Sequence, residues 1–372
     1  MGTPLFVDHR STPLLPTHPW RTRPACRVWL ACLMLISGAL ASGAVTATAQ
    51  DKAATTGSLR VTESAEGAGW IVHAGDRILA GYEVDSAGKP IVYPLKTPSG
   101  VSVVRDYPMK PQGPNERDDH PHHRSLWFTH GEVNDTDYWL TSEAKRDGIT
   151  KQTGGKAYVD NSTGAVVIET TNDWLNGRGK RDLTDTRRFT FQLDGKRLIL
   201  DCDIRLTASD GEVHFGDTKE GSFGVRVAGS MKSDAKLGGQ ITNKDGQHGK
   251  EAWGVRSPWV DYSGPVLEFD ATDEKPSQEV IADSTNGVTI HYHPSSHGAP
   301  CRWHVRTYGL FAANPFGESH FTGGEKTGGF RLPAGESIDL FHRVVIHEGG
   351  FDRDQTLADE AGYASISPKP LD

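Results

Sequence analysis

Four histidines lie within one short stretch of the chain, residues 118–131, which reads DDHPHHRSLWFTHG. The same fourteen residues include two aspartates, one arginine and two aromatic side chains. Imidazoles and carboxylates this close together favour a proton-transfer site, a metal site or a solvated surface turn. Because Pro121 is unsuited to a central strand, the sequence predicts a loop that leads into a strand at 125–129.

The side chains of that strand would alternate between two faces of a sheet. Leu126 and Phe128 fall on one face, and Trp127 falls on the other. His123 and His130 bracket the strand, and we expect both to reach the mouth of a cleft. There they could act as the acid or the base in proton transfer.

Acidic and aromatic residues follow in the stretch NDTDYW at 134–139. Tryptophan rings stack on the C–H faces of sugars, and charged groups bind the hydroxyls. Trp127 and Trp139, both expected to be exposed, therefore suggest a sugar subsite, with Arg124 available to hold oxygens or a carboxylate. Core tryptophans beside a solvated histidine-rich loop are the alternative interpretation.

A second cluster, HFGDTKEG at 214–221, interrupts the strand pattern with charges between glycines. Glu220 is a candidate catalytic carboxylate presented by this loop, and Asp217 is a candidate substrate-binding residue. Charges in a tight loop between strands are also typical of a solvated turn.

A third cluster reads RWHVRT at 302–307. Trp303 and Val305 fall on one strand face, whereas His304 and Arg306 fall on the other together with Arg302. Histidine and arginine are costly to bury in an apolar core, so their face should meet solvent or a polar cleft. We expect His304 to take part in acid/base chemistry, and Trp303 and Arg306 to bind the substrate.

Two close histidine pairs, His122/His123 and His291/His293, leave a metal-dependent enzyme open as an alternative. The motifs H-E-x-x-H and C-x-x-C are absent, and no carboxylate follows soon after the second pair. The chain also lacks a G-x-S-x-G elbow, a P-loop and a dinucleotide fingerprint behind a strand. We therefore predict no cofactor.

The framework around these clusters has the period of β-strands. Two alternating runs flank the turn DGK within 186–206, which predicts a hairpin with one face on a core. The 42 glycines and 21 prolines fit a turn-dense β protein, and a helix is expected only near 356–362. We predict an all-β fold, one large antiparallel β-sandwich domain over 59–372, after a flexible tail at 50–58.

The N-terminal residues indicate export. Four arginines precede an apolar run at 28–45, and an Ala-x-Ala exit follows at 47–49, as in a signal peptide over 1–49. An uncleaved anchor is the alternative. The formal charge is −8, and without the four arginines and one aspartate of 1–49 it becomes −11.

That acidic charge argues against a nucleic acid or an anionic membrane as partner. No second apolar run approaches the roughly 20 residues of a membrane helix. We expect a periplasmic or secreted protein whose partner is a carbohydrate or another small polar substrate. A disulfide between Cys202 and Cys301 stays open, because pairing depends on their distance in the fold.

Several blocks of the sequence resemble a family of secreted bacterial proteins labelled "methane oxygenase PmoA", or PmoA-like. They read YPLKTPSG at 93–100, RDYP at 105–108, DHPHHRSLWF at 119–128, FGDTKEG at 215–221, WHVR at 303–306 and NPFG at 314–317. A true membrane methane monooxygenase subunit is a bundle of membrane helices. After residue 49 this sequence predicts no membrane helix. We therefore expect no methane oxidation.

The stretch RLPAGESIDLFHRVVI at 331–346 resembles the last strand and preceding turn of galactose mutarotase-like supersandwich proteins. That resemblance implies a supersandwich fold in which a histidine acid and a glutamate base act on a sugar ring. Carried over to this chain, the acid is His123 or His130 and the base is Glu220.

The sequence thus favours an exported carbohydrate-active protein with acid/base chemistry of the epimerase, lyase or hydrolase type. A non-catalytic carbohydrate-binding protein on the same sandwich is the alternative.

Overall fold

The computed structural model describes residues 58–65, 68–140, 148–269, 278–279, 285–369 and 371. The predicted signal peptide at 1–49, and the predicted tail up to residue 57, lie outside these residues. The first ten described strands are β1 (Leu59–Glu63), β2 (Gly69–Ala74), β3 (Arg77–Glu83), β4 (Ile91–Leu95), β5 (Leu126–His130), β6 (Ile149–Val159), β7 (Val166–Leu175), β8 (Arg181–Asp194), β9 (Arg197–Thr207) and β10 (Val213–Phe215). The next ten are β11 (Gly221–Arg226), β12 (Gln240–Asn243), β13 (Trp259–Pro265), β14 (Glu268–Phe269), β15 (Gln278–Glu279), β16 (Thr285–Tyr292), β17 (Arg302–Val305), β18 (Leu310–Asn314), β19 (Phe330–Leu332) and β20 (Ser337–Glu348).

Two eight-stranded sheets contain most of these strands. The first sheet has the order β1-β2-β3-β4-β5-β11-β18-β17, and the second has the order β12-β13-β16-β20-β9-β8-β7-β6. All described strand pairs are antiparallel. Two further pairs, β10 with β19 and β14 with β15, form small separate sheets.

The two large sheets share one apolar core, in which side chains from both meet. The ring centroids of Phe128 in the first sheet and Trp174 in the second lie 5.9 Å apart. Tyr82 and Phe189 make a similar contact at 5.3 Å. Burial of these apolar surfaces is the dominant force that holds the sheets face to face. The prediction of an all-β fold built as a large antiparallel β-sandwich is confirmed.

The predicted hairpin over 186–206 is the pair β8 and β9, joined by a turn at 194–197. Gly195 adopts φ +60° in that turn, a left-handed conformation that glycine tolerates without steric strain. The predicted helix near 356–362 is α1 (Arg353–Ala364), and the Asp352 side chain accepts a hydrogen bond from its first turn. No helix in the described part of the chain is long and apolar enough to span a membrane.

Strand register brings four residues into one row across the first sheet. Trp127 pairs with Gly224, Gly224 with Ala312, and Ala312 with His304. Residues directly opposite each other in antiparallel strands share a face. The other face carries Phe128 and packs on the second sheet, so we name the face of this row the outer face. The prediction that Trp127 and its neighbour Phe128, and likewise His304 and Trp303, lie on opposite faces is therefore correct.

The two cysteines of the described region, Cys202 in β9 and Cys301 just before β17, are both buried and carry free thiols. The disulfide that the sequence left open is not formed.

Candidate functional site

A loop over residues 105–125 carries three histidines across the outer face of the first sheet. The rings of His120 and His123 stack with centroids 4.8 Å apart, and His122 meets His123 edge-on at 4.4 Å. Tyr308, from the turn between β17 and β18, stacks on His120 at 5.3 Å. We call these four side chains the aromatic stack. The strand that follows the loop runs from 126 to 130, one residue later than predicted.

Two buried arginines fix the position of this loop. Arg226 donates to Nδ1 of His123 at 2.9 Å and to Oδ1 of Asp119 at 3.0 Å. Arg105 donates to the same Asp119 oxygen at 3.0 Å and to the His120 carbonyl at 2.7 Å. Because a guanidinium has no acceptor, Nδ1 of His123 must accept, and the proton of the neutral ring lies on Nε2.

The histidines of the stack are neutral at neutral pH. Burial lowers the pKa of His122 to about 3, and the nearby Lys89 ammonium acts in the same direction. Burial also holds the pKa of His123 well below its ordinary value, and it lowers the pKa of His120. Each ring therefore offers one N–H donor and one lone pair rather than a positive charge.

The tryptophans beside the stack are buried, so the expectation that Trp127 and Trp139 are exposed is wrong. Their exposed fractions are 1% and 0%. Trp127 stacks on His123 at 5.4 Å, and Trp139 meets the same imidazole edge-on at 5.9 Å. A Cβ at Gly224 would stand 2.9 Å from the Trp127 ring, so the missing side chain opposite makes room for it. The indoles support the imidazole and present no face to a sugar.

A carboxylate and an imidazole meet at the edge of the stack. Oε2 of Glu220 lies 3.9 Å from Nδ1 of His304, an atom that is buried and has no hydrogen-bond partner among the described residues. Burial lowers the pKa of His304 to about 4, and the Glu220 charge opposes this shift. Glu220 also pairs with Lys219. Burial raises the pKa of Tyr308 and of Asp137, and the Glu220 charge acts in the same direction on both.

Arg306, which the sequence predicts as a substrate-binding residue, lies beside Tyr308. Its guanidinium is 5.7 Å from the Tyr308 ring and 6.0 Å from the Trp253 ring. These residues border a cavity of about 340 Å³, which is lined by Lys250, Trp253, Val305, Arg306, Thr307 and Tyr308. Sequence reasoning missed Trp253, because it stands in a glycine- and charge-rich segment that matches no motif. A lone tryptophan in such a segment was the available signal.

His130 lies in the core and not in the cleft, which corrects its prediction as a catalytic residue. The side chain is 0% exposed and packs on Phe316 at 4.9 Å. Nε2 lies 2.9 Å from the Gly216 carbonyl, and Nδ1 lies 3.1 Å from the Ser222 hydroxyl. The carbonyl can only accept, so Nε2 donates, and in the neutral ring Nδ1 accepts from Ser222.

Asp217, predicted as a substrate-binding residue, makes its observed contacts within the fold. Its carboxylate accepts hydrogen bonds from the backbone amides of Glu318 at 2.7 Å, Ser319 at 3.0 Å and Gly328 at 2.7 Å. These bonds keep the pKa of Asp217 below its ordinary value against the opposing effect of burial. The carboxylate thus closes the loop over residues 318–328 and has little capacity left for a ligand.

Trp303 and Arg124 likewise make contacts within the fold. Trp303 is 0% exposed and donates its indole N–H to the Ser257 carbonyl at 2.8 Å. Arg124 is buried and donates to the Ser86 hydroxyl at 3.0 Å, in the turn after β3. The substrate-binding roles predicted for both residues find no support in this geometry.

The two histidine pairs considered for a metal do not converge. His122 and His123 lie over the first sheet, whereas His291 lies in β16 of the second sheet, one residue before its end. Nε2 of His293 lies 3.1 Å from the carbonyls of Tyr363 and Ile366. Across the described ranges, no group of three or more His, Cys, Asp or Glu side chains is placed to hold a metal ion.

The family model DUF6807, a family of unknown function, matches residues 70–360. The chain belongs to this family. The aromatic stack, Glu220 and His304 all fall within the part that DUF6807 covers. No curated protein matches the chain.

Among solved structures the DUF6807 chain is similar to a beta-arabinopyranosidase, with 10% identity, a TM-score of 0.39, and coverage of 77% of this chain and 40% of that one. It is similar to the GH36 alpha-galactosidase AgaB from Geobacillus stearothermophilus, with 12% identity, a TM-score of 0.38, and coverage of 78% and 41%. A protein of Synechocystis sp. PCC 6803 matches with 10% identity, a TM-score of 0.28, and coverage of 78% and 96%. The chain thus spans about 40% of the length of the first two proteins.

Proposed function

We propose that this chain is an exported carbohydrate-active enzyme that transfers protons at a sugar bound over the aromatic stack. The observation that carries this proposal is the Glu220–His304 pair. A carboxylate stands 3.9 Å from an imidazole nitrogen that is buried and lacks a hydrogen-bond partner within the described region. A carboxylate beside an imidazole at a cleft is typical of acid/base sites.

The different exposure of Glu220 and His304 indicates which of the two contacts the sugar. The Glu220 side chain is 32% exposed, so it can reach a bound sugar and accept a proton from it. His304 is buried behind it and can donate a hydrogen bond from Nδ1 to the Glu220 carboxylate, which would fix the position of that carboxylate. The 3.9 Å gap exceeds a hydrogen bond, and a shift of about 1 Å in the Glu220 side chain would close it.

The surroundings of the pair suit a sugar ring. The half-buried rings of Tyr308 and Trp253 offer apolar faces for C–H groups. The neutral imidazoles of His120 and His122 offer both donors and acceptors for hydroxyls. In this proposal Tyr308 and Trp253 take the stacking role that the sequence assigned to the three buried tryptophans.

A proton NMR assay in D₂O tests this function without a prior choice of reaction. A panel of mono- and oligosaccharides is incubated with the protein, and epimerisation, hydrolysis or elimination each gives its own new signals. We expect Glu220→Gln to slow the reaction by about 10² to 10⁴, the range typical of general acid–base groups, and His304→Gln to slow it as well. The matched control is Glu336→Gln, an exposed carboxylate in the turn before β20, which should keep the wild-type rate.

A non-catalytic carbohydrate-binding protein is the second candidate. The pKa of about 3 for His122 favours it, because such an imidazole is a weak base that serves mainly in hydrogen bonding. Sugar binding without any turnover, retained by the Glu220→Gln variant, would decide for this candidate.

A further inference from the structure

The cavity beside Tyr308 has the chemistry of an anion subsite. We propose that the substrate is an anionic sugar whose carboxylate or sulfate group occupies this cavity, next to Arg306. The inference rests on the proposed function and adds the substrate class. The volume of the cavity, about 340 Å³, lies within the range of about 300–1,000 Å³ that is usual for ligand pockets.

The lining of the cavity is cationic. Lys250 is exposed and Arg306 is half-buried, and no acidic residue belongs to the lining. Within the described residues neither cation has a carboxylate within salt-bridge distance, whereas most arginines of the two sheets do have one. A guanidinium presents parallel N–H groups that fit a carboxylate or sulfate in bidentate fashion.

Further positive charge lies close to Tyr308. The Arg226 guanidinium is 4.7 Å from the Tyr308 ring, so the ring has a guanidinium contact from Arg226 and another from Arg306. Arg226 and Arg105 share one carboxylate, that of Asp119. This local surplus stands out in a chain with a formal charge of −8 and would attract an anionic group.

Trp253 supplies an unused donor at the same place. Its Nε1 atom is buried and has no acceptor among the residues that the structure describes. The ring is held by Phe321, with centroids 5.2 Å apart. The Nε1 atoms of Trp127 and Trp139 are in the same state, so this donor is available to a bound acceptor but does not by itself identify one.

The cavity connects directly to the proposed catalytic pair. Arg306 stands two positions after His304, and Tyr308 belongs both to the cavity lining and to the aromatic stack. Oε2 of Glu220 in turn lies 3.9 Å from Nδ1 of His304. A sugar whose anionic group is held at Arg306 would therefore lie with its ring beside Tyr308, within reach of Glu220.

Binding measurements by calorimetry test this inference independently of turnover. The probes are a disaccharide of galacturonic acid, a galactose 6-sulfate and the neutral disaccharide of galactose. We expect at least one anionic probe to bind about tenfold or more tightly than the neutral sugar, with an advantage that added salt reduces. Arg306→Gln should weaken the binding of that probe about ten- to hundredfold, and Arg306→Lys should restore part of it.

Lys151→Gln is the matched control, because Lys151 is exposed on β6 of the second sheet, and it should bind like the wild type. Preference for galacturonate identifies a carboxylate as the group, and preference for the sulfate identifies a sulfate ester; both support the inference. Equal affinity for neutral and anionic sugars, or an Arg306→Gln variant with wild-type affinity, would overturn it.

The two proposals fail separately. If neutral sugars are processed and Glu220→Gln abolishes that activity, the proposed function stands while the anionic substrate class is overturned. If galacturonate binds through Arg306 but no sugar is processed, the anion subsite stands and the enzymatic role fails. Absence of binding by every probe would overturn the anion subsite.

Discussion

The substitution His130→Ala separates the two roles that this histidine could have. The sequence predicts a catalytic acid, whereas the structure places the ring in the core between the Gly216 carbonyl and the Ser222 hydroxyl. Removing the ring leaves both polar groups buried without a partner, at about 1–3 kcal/mol for each unsatisfied group. The cavity left beside Phe316 adds to this loss, so we expect the free energy of unfolding to fall by about 3–5 kcal/mol.

Urea unfolding at neutral pH measures this change. We expect the midpoint concentration to fall with little change in slope, because the surface exposed on unfolding is nearly the same. The matched control is His320→Ala, an exposed histidine, for which the change should stay within about 0.5 kcal/mol. Any sugar turnover per folded His130→Ala molecule, measured well below the unfolding transition, should equal that of the wild type.

One result would refute the reasoning. If His130→Ala unfolds at the wild-type urea concentration but loses turnover, the ring does not stabilise the core, and the catalytic interpretation of the sequence is right after all.

Two further predictions concern stability. Burial lowers the pKa of His342 to about 3 and of His291 to about 4, both below the value of about 6.5 in an unfolded chain. As the pH falls, the histidines of the unfolded state therefore bind protons before those of the folded state. The free energy of unfolding should fall as the pH drops from about 6.5 towards 4, and these two residues should cause no loss above pH 6.5. A urea midpoint that stays constant over this range would show that the rings are not buried as neutral groups. Asp217→Ala removes the acceptor of three backbone amides and should lower the free energy of unfolding by about 2–3 kcal/mol, with a lower Tm in calorimetry, and an unchanged Tm would show that the carboxylate does not hold the 318–328 loop.

The framework of the molecule could be predicted because burial on one face of a strand leaves a period of two in the sequence. The hairpin of β8 and β9 follows from that pattern alone. The same alternation correctly separated Trp127 from Phe128, and His304 from Trp303. The alternation is a local property, so the sequence of each strand is enough to predict it.

What covers a strand face could not be predicted, because it depends on residues far away along the chain. Trp127 is buried partly because Gly224, on the neighbouring strand, leaves room for its ring. His130 finds both of its partners more than 80 positions later. Trp253 lines the cavity from a connection between strands, and no periodic sequence pattern predicts the path of such a connection.

Glu220 is the residue on which the proposed chemistry depends most. The measurement that tests this most directly compares wild type and Glu220→Gln on one bound sugar, with Kd and kcat determined for each. We predict a similar Kd, because the exchange keeps the shape of the side chain, and a kcat lower by about 10² or more. An equal kcat for the two proteins would contradict the assignment of proton transfer to this carboxylate.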